Sequence, residues 1–248
     1  MNRKMISLGA LLFGIGLLGV ISLITLDIPF PEDIQEELSK SFSPFQIKLL
    51  MMVNPLIYLS LSVVVGTLLY QKVDFRLPLF ERWLGISSSS VDFGSIVKYG
   101  LVGGILSGVL ILLVSLGFKS IIPPELNDIK TPLLARFLYG GIAEEILMRF
   151  GFMTFLVWLG SKLLKEIKPS IYWFGIAFSS ILFGIGHLPI VFTVVDSPSV
   201  WLLIYIVLAN SVGGIIFGWL YWKKGLESSM IAHIFTHIVL VMAIAVFH

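Results

Sequence analysis

A chain of 248 residues that is 57% hydrophobic and 13% charged, with mean hydropathy +0.98, falls outside the composition of soluble domains, which carry roughly 25% charged residues. A net charge of +2 without a basic stripe excludes a nucleic-acid partner, and the absence of cysteine excludes disulfides, thiolate nucleophiles and cysteine-ligated metals. These properties predict an all-α fold, a polytopic transmembrane bundle of about seven helices forming one integral-membrane domain over residues 1–248.

Runs of about 20 apolar residues mark membrane helices. The first spans 5–26, after Arg3 and Lys4. It is longer than the apolar core of a signal peptide and lacks a small-residue cleavage site before Asp27, which predicts an uncleaved helix. Segment 27–46 is acidic and partly amphipathic, and it predicts a short surface helix capping the bundle. The second span covers 48–70. Residues 71–97, with serines at 87 to 90, read as a loop with an interfacial piece around Leu77–Leu84, and the third span covers 98–118. The remaining spans are 133–160, 171–194, 200–222 and 230–247. Glycines within the spans, such as Gly103, Gly104, Gly213 and Gly214, allow helices to approach closely in lipid.

The loops orient this bundle. Alternate loops carry eleven Lys and Arg residues against four on the other side, and Arg136 and Arg149 lie within a span. Basic residues favour the cytoplasm, so the N-terminus is expected inside and the C-terminus outside.

Ionisable groups are confined to the later spans. Glu144, Glu145 and Arg149 lie in FLYGGIAEEILMRFGF, His187 in SSILFGIGHLP, and His233 and His237 in MIAHIFTHIVL. His248 is the last residue. No other acidic residue is expected within a span. A charged group at membrane depth costs about 2.5–3.5 kcal/mol on insertion scales. Glu145 precedes Arg149 by four residues, so the two share a helix face in the favoured acid-first order. Glu144 projects about 100° away, which leaves it without a partner in its own helix and suits it to act as a general base. His233 and His237 also share a face, a spacing that suits two ligands to one metal or two donors to one oxygen. Asn210 is expected to act as interhelical glue.

These residues suit either catalysis or a proton-coupled transporter, since carboxylate–histidine relays mark transport pathways. Other protease chemistries lack their residues. No HExxH or GxGD motif occurs, and Ser179 and Ser180 lack a nucleophile-elbow context. Water activated by Glu144 remains.

The ordered motifs EExxxR (Glu144, Glu145, Arg149), FxxxH (Phe183, His187) and a late HxxxN-like pair (His233, His237) resemble the type II CAAX prenyl endopeptidases, within the wider family of CAAX proteases and bacteriocin-processing enzymes. The resemblance covers about 130–248, so residues 131–248 would hold the catalytic helices and 1–130 carry no signature. It implies an intramembrane endopeptidase whose partners are membrane lipid and a prenylated CAAX-type protein or peptide, from which it removes the C-terminal tripeptide. Glu144 and His187 would activate water, His233 would bind the oxyanion, and Glu145, Arg149 and Phe183 would support the structure. The family's last position is Asn and here is His237. That departure leaves a zinc cofactor held by Glu144, His187, His233 and His237 as an alternative to a metal-free mechanism. Unprenylated substrates, such as bacteriocin leaders, are the alternative within the family.

Overall fold

The computed structural model describes residues 2–27, 30, 32–126, 129 and 131–247, with the side chains of Glu32, Asp33 and Phe247 outside the description; Lys130 and His248 lie outside it. Among the described residues the secondary structure is entirely helical. Six helices are long and apolar enough to cross a membrane. They are α1 (Arg3–Ser22, extended by a 3₁₀ turn to Thr25), α3 (Pro44–Leu69), α5 (Phe93–Gly117), α8 (Pro169–Ile185, running on through α9, Leu188–Val194), α10 (Val200–Lys224) and α11 (Leu226–Phe247).

A seventh helical run covers 133–164 without a break. It begins as α6 (Leu133–Ala135), passes through two π-helical stretches (Arg136–Ala143 and Ile146–Met153) and ends as α7 (Thr154–Leu164). Its four charged residues between 136 and 149 make it less apolar than the others. The bundle shields it accordingly. Its first π stretch packs against α1 and α11, and its second packs against α3 and α8.

Local sequence explains most helix starts. Ser43 and Gln46 form a capping box on α3, and Asp92 and Ser199 accept backbone N–H bonds at the starts of α5 and α10. Pro189 sits in the first turn of α9, where its missing N–H is harmless, and the chain bends at Gly186–His187. Gly225 ends α10 at φ 99°, a conformation that favours glycine.

Two expectations change. The surface helix expected in 27–46 is present as α2 (Glu32–Ser41), and Ile34 through Glu37 are exposed rather than packed on the bundle. Its apolar positions are too few to form a packing face. The last span begins at Leu226 rather than 230, so Glu227 is a third acidic residue in a span. Glu227 is buried, and one of its carboxylate oxygens accepts the N–H groups of Leu79 (2.8 Å) and Phe80 (3.0 Å). These are free donors at the start of α4 (Pro78–Trp83), which a carboxylate stabilises. The expected interfacial piece is therefore tucked under the bundle, with Phe75 and Leu77 fully buried.

Candidate active site

The two π stretches flank Glu144 and Glu145. π-Turns are rare, and they recur at functional sites because they re-aim side chains at the expense of regular backbone bonding. Here the Glu144 N–H donates to the Tyr139 carbonyl five residues back. The Thr154 N–H and hydroxyl both reach the Arg149 carbonyl, also five back, the hydroxyl at 3.1 Å.

On one side of this helix the charges are sealed from solvent. Glu145 and Arg149 are fully buried, with Arg149 Nε 3.4 Å from Glu145 Oε2. The expected pair is present, and it has further partners. The Arg149 guanidinium donates to the Gly214 carbonyl at 3.1 Å and lies between the Phe183 and Phe217 rings, 5.0 and 5.5 Å from their centroids. The Ser229 hydroxyl donates to Glu145 Oε2. Nδ1 of His233 lies 2.9 Å from Glu145 Oε1. A carboxylate only accepts, so the proton in that bond is on Nδ1 and the imidazole is held in one orientation. The His233 ring stacks on Phe217 (4.5 Å) and on His237 (5.0 Å).

On the other side Glu144 opens into a cleft of about 790 Å³ between the 133–164 helix, α3 and the end of α8. Its side chain is 16% exposed, against none for Glu145. The cleft walls are mainly apolar, with Leu61 and Val65 of α3 facing Phe152 and Phe155, and His187 and Tyr139 share the cavity with Glu144. His187 donates from Nδ1 to the Phe183 carbonyl at 2.8 Å, which leaves the Nε2 lone pair available. The four-residue spacing of Phe183 and His187 has a direct meaning, because Phe183 anchors His187 by its carbonyl while its ring lies under Arg149.

The histidines of α11 stand elsewhere. His233 is 4% exposed, and its Nε2 lies 3.8 Å from Glu144 Oε2. His237 stacks on His233 and its Nδ1 is buried without a partner. Neither His233, expected at the oxyanion, nor His237 is among the residues that line the cleft. Among the described residues no three His, Asp or Glu side chains converge to hold a metal ion. The donors as placed do not fit a zinc shell.

Other sequence candidates resolve into structural roles. Ser180 and Ser179 donate to the Ile176 carbonyl within their own helix, at 2.6 and 3.2 Å. Asn210 donates to Ile206 in α10 itself at 2.8 Å, so its hydrogen bond runs within the helix and not between helices. The sequence reading passed over Ser229 and Tyr139. Ser229 was within reach, since Ser229, His233 and His237 recur every four residues on one face of α11. Tyr139 was not, because α-helical spacing places it far from the face of Glu144.

Comparison with known proteins agrees with this half of the molecule. Residues 128–239 match the family model described as type II CAAX prenyl endopeptidase Rce1-like, and the match takes in the Glu144–Arg149 motif, Phe183, His187, His233 and His237. No curated protein and no solved structure matches the chain. With six apolar membrane-length helices, the chain is an integral membrane protein, and its segment 128–239, a little under half of its length, is similar to the Rce1-like type II CAAX prenyl endopeptidase family.

Proposed function

We propose that this protein is an intramembrane endopeptidase in which Glu144 activates water against a peptide carbonyl. The observation that carries the proposal is the division of the two carboxylates, since Glu144 alone of the charged residues in the 133–164 helix lines the cleft. Water held between Glu144 and Nε2 of His187 loses a proton to Glu144 as its oxygen bonds to the carbonyl carbon. The carbon–nitrogen bond then breaks and the leaving amine takes up the proton. His233 supports this cycle. Its Nε2 faces Glu144 and its Nδ1 proton is held by Glu145, so the imidazole can receive and return the proton that Glu144 collects. Glu145 is then a positioning residue, and Arg149 balances its charge.

The apolar walls favour a substrate carrying a lipid tail. The cleft volume lies within the roughly 300–1,000 Å³ of ligand sites, and its opening among membrane helices suits a prenyl chain beside an extended peptide. The substrate is accordingly a prenylated CAAX-type C-terminus, cleaved after the modified cysteine to release a tripeptide. The loop charges support a cytoplasmic N-terminus.

The test is cleavage of a farnesylated CAAX peptide by purified protein in lipid nanodiscs, with and without a chelator. Tripeptide release that resists the chelator is expected. Equal cleavage of the unprenylated peptide overturns the prenyl requirement. Loss of activity with chelator and its recovery with zinc overturns the metal-free mechanism. No cleavage of either peptide, with proton-coupled uptake into vesicles, overturns the protease reading in favour of a transporter.

A further inference from the structure

We infer that the Tyr139 hydroxyl is a further catalytic group, the hydrogen-bond donor to the oxyanion formed when water attacks the substrate carbonyl. This rests on the protease reading of the same cleft. An acyl-transfer site needs a donor aimed at the developing negative oxygen. His233 and His237 are not among the residues that line the cleft, whereas Tyr139 lines it together with Glu144 and His187.

The backbone explains the placement. In an α-helix, residues five apart point about 140° away from each other. The Glu144 N–H bonds instead to the Tyr139 carbonyl, an i→i+5 turn one residue longer than an α-turn. Such a turn brings residues five apart onto one face, much as residues four apart share a face in an α-helix. Tyr139 and Glu144 thus open onto one cavity one turn apart. The π stretch at Arg136–Ala143 converts a tyrosine that would face elsewhere into a neighbour of the general base.

The hydroxyl is also available. Among the described residues it makes no hydrogen bond, while the phenols of Tyr172, Tyr205 and Tyr221 are engaged with Val73, Ser115 and Thr154. The other cleft hydroxyls are poorer donors for this role. Ser62 donates to the Leu147 carbonyl, and Tyr58 is 58% exposed on the outer side of α3. The tyrosine donates a hydrogen bond and no proton changes owner. The carbonyl π electrons move onto oxygen as the water oxygen bonds to carbon, and they return when the carbon–nitrogen bond breaks.

The experiment compares Tyr139→Phe with Glu144→Gln and the parent protein on the farnesylated peptide, and measures inhibition by a farnesylated cysteinyl aldehyde whose hydrate resembles the tetrahedral intermediate. Tyr139→Phe should lower kcat by about 10²-fold, the usual effect of removing one oxyanion donor, with KM within about twofold and the melting temperature unchanged. The aldehyde should bind more weakly by a similar factor. A Tyr139→Phe protein that keeps the parent kcat, or that changes only KM, overturns the inference and leaves the protease reading standing if Glu144→Gln is inactive. Full cleavage by Glu144→Gln overturns that reading itself.

Discussion

The sealed side of the 133–164 helix and its open side treat neighbouring carboxylates in opposite ways. Glu145 meets a guanidinium, an imidazole and a hydroxyl, and none of its surface is exposed. Glu144, one residue earlier, has among the described residues the more distant His233 Nε2 at 3.8 Å and a partly open cleft. A buried charge must be paired and hydrogen-bonded to be tolerated. Reactivity requires a group that is not fully satisfied. In the proposed mechanism one residue stabilises the arrangement that leaves its neighbour free to react.

The largest expected effect is on the open side. Glu144→Gln should lower kcat for peptide cleavage by about 10²–10⁴-fold, the usual contribution of a general base, with unchanged expression and melting temperature. A loss of folded protein would mean that Glu144 belongs to the sealed network after all. On the sealed side, Arg149→Met leaves the Glu145 carboxylate buried without its counter-charge and should destabilise by about 3–5 kcal/mol, read as a lowered melting temperature or loss from the membrane. Combining it with Glu145→Leu should restore most of that stability, since apolar replacement of a whole buried pair is often neutral. The double variant should still cleave poorly, because His233 then lacks the acceptor for its Nδ1 proton. Recovery of both stability and activity would refute the positioning role of Glu145.

A smaller effect is expected where the helix meets α11. A Cβ added at Gly140 would lie 2.6 Å from Nε2 of His237. Gly140→Ala should cost about 1–3 kcal/mol by overpacking, and His237→Ala in the same chain should recover most of it. Failure of that rescue in thermal unfolding would show that the glycine serves another purpose. The smallest effect belongs to Asn210→Leu. Its hydrogen bond stays within α10, so stability should change by less than about 1 kcal/mol, and a larger loss would reveal a partner on another helix.

Much of this contrast is legible in the sequence. The four-residue spacing of Glu145 and Arg149 identified the paired carboxylate and, by elimination, the freer one. The short motifs around Phe183, His187, His233 and His237 pointed to the family. The placement of His233 shows the limit. Its spacing to His237 says that both leave one face of α11, but not which neighbour that face meets. Glu227 falls outside the expected span 230–247 because its satisfaction comes from Leu79 and Phe80, nearly 150 positions away.

The sequence by itself determined a helical membrane protein, the place of its charged residues along the chain, and the pair that neutralises Glu145, because hydropathy and α-helical spacing are local properties. The tertiary structure decided the rest. Apolar residues that line a cleft, such as Leu61 and Val65, have the same composition as those that face lipid, so the wall supplied by α3 leaves no local mark. The π-turn before Glu144, which puts Tyr139 on the same cleft, is a hydrogen-bond register adopted in a stretch packed against α1 and α11. Side-chain direction follows that register, and a reading in steps of 100° per residue cannot anticipate it.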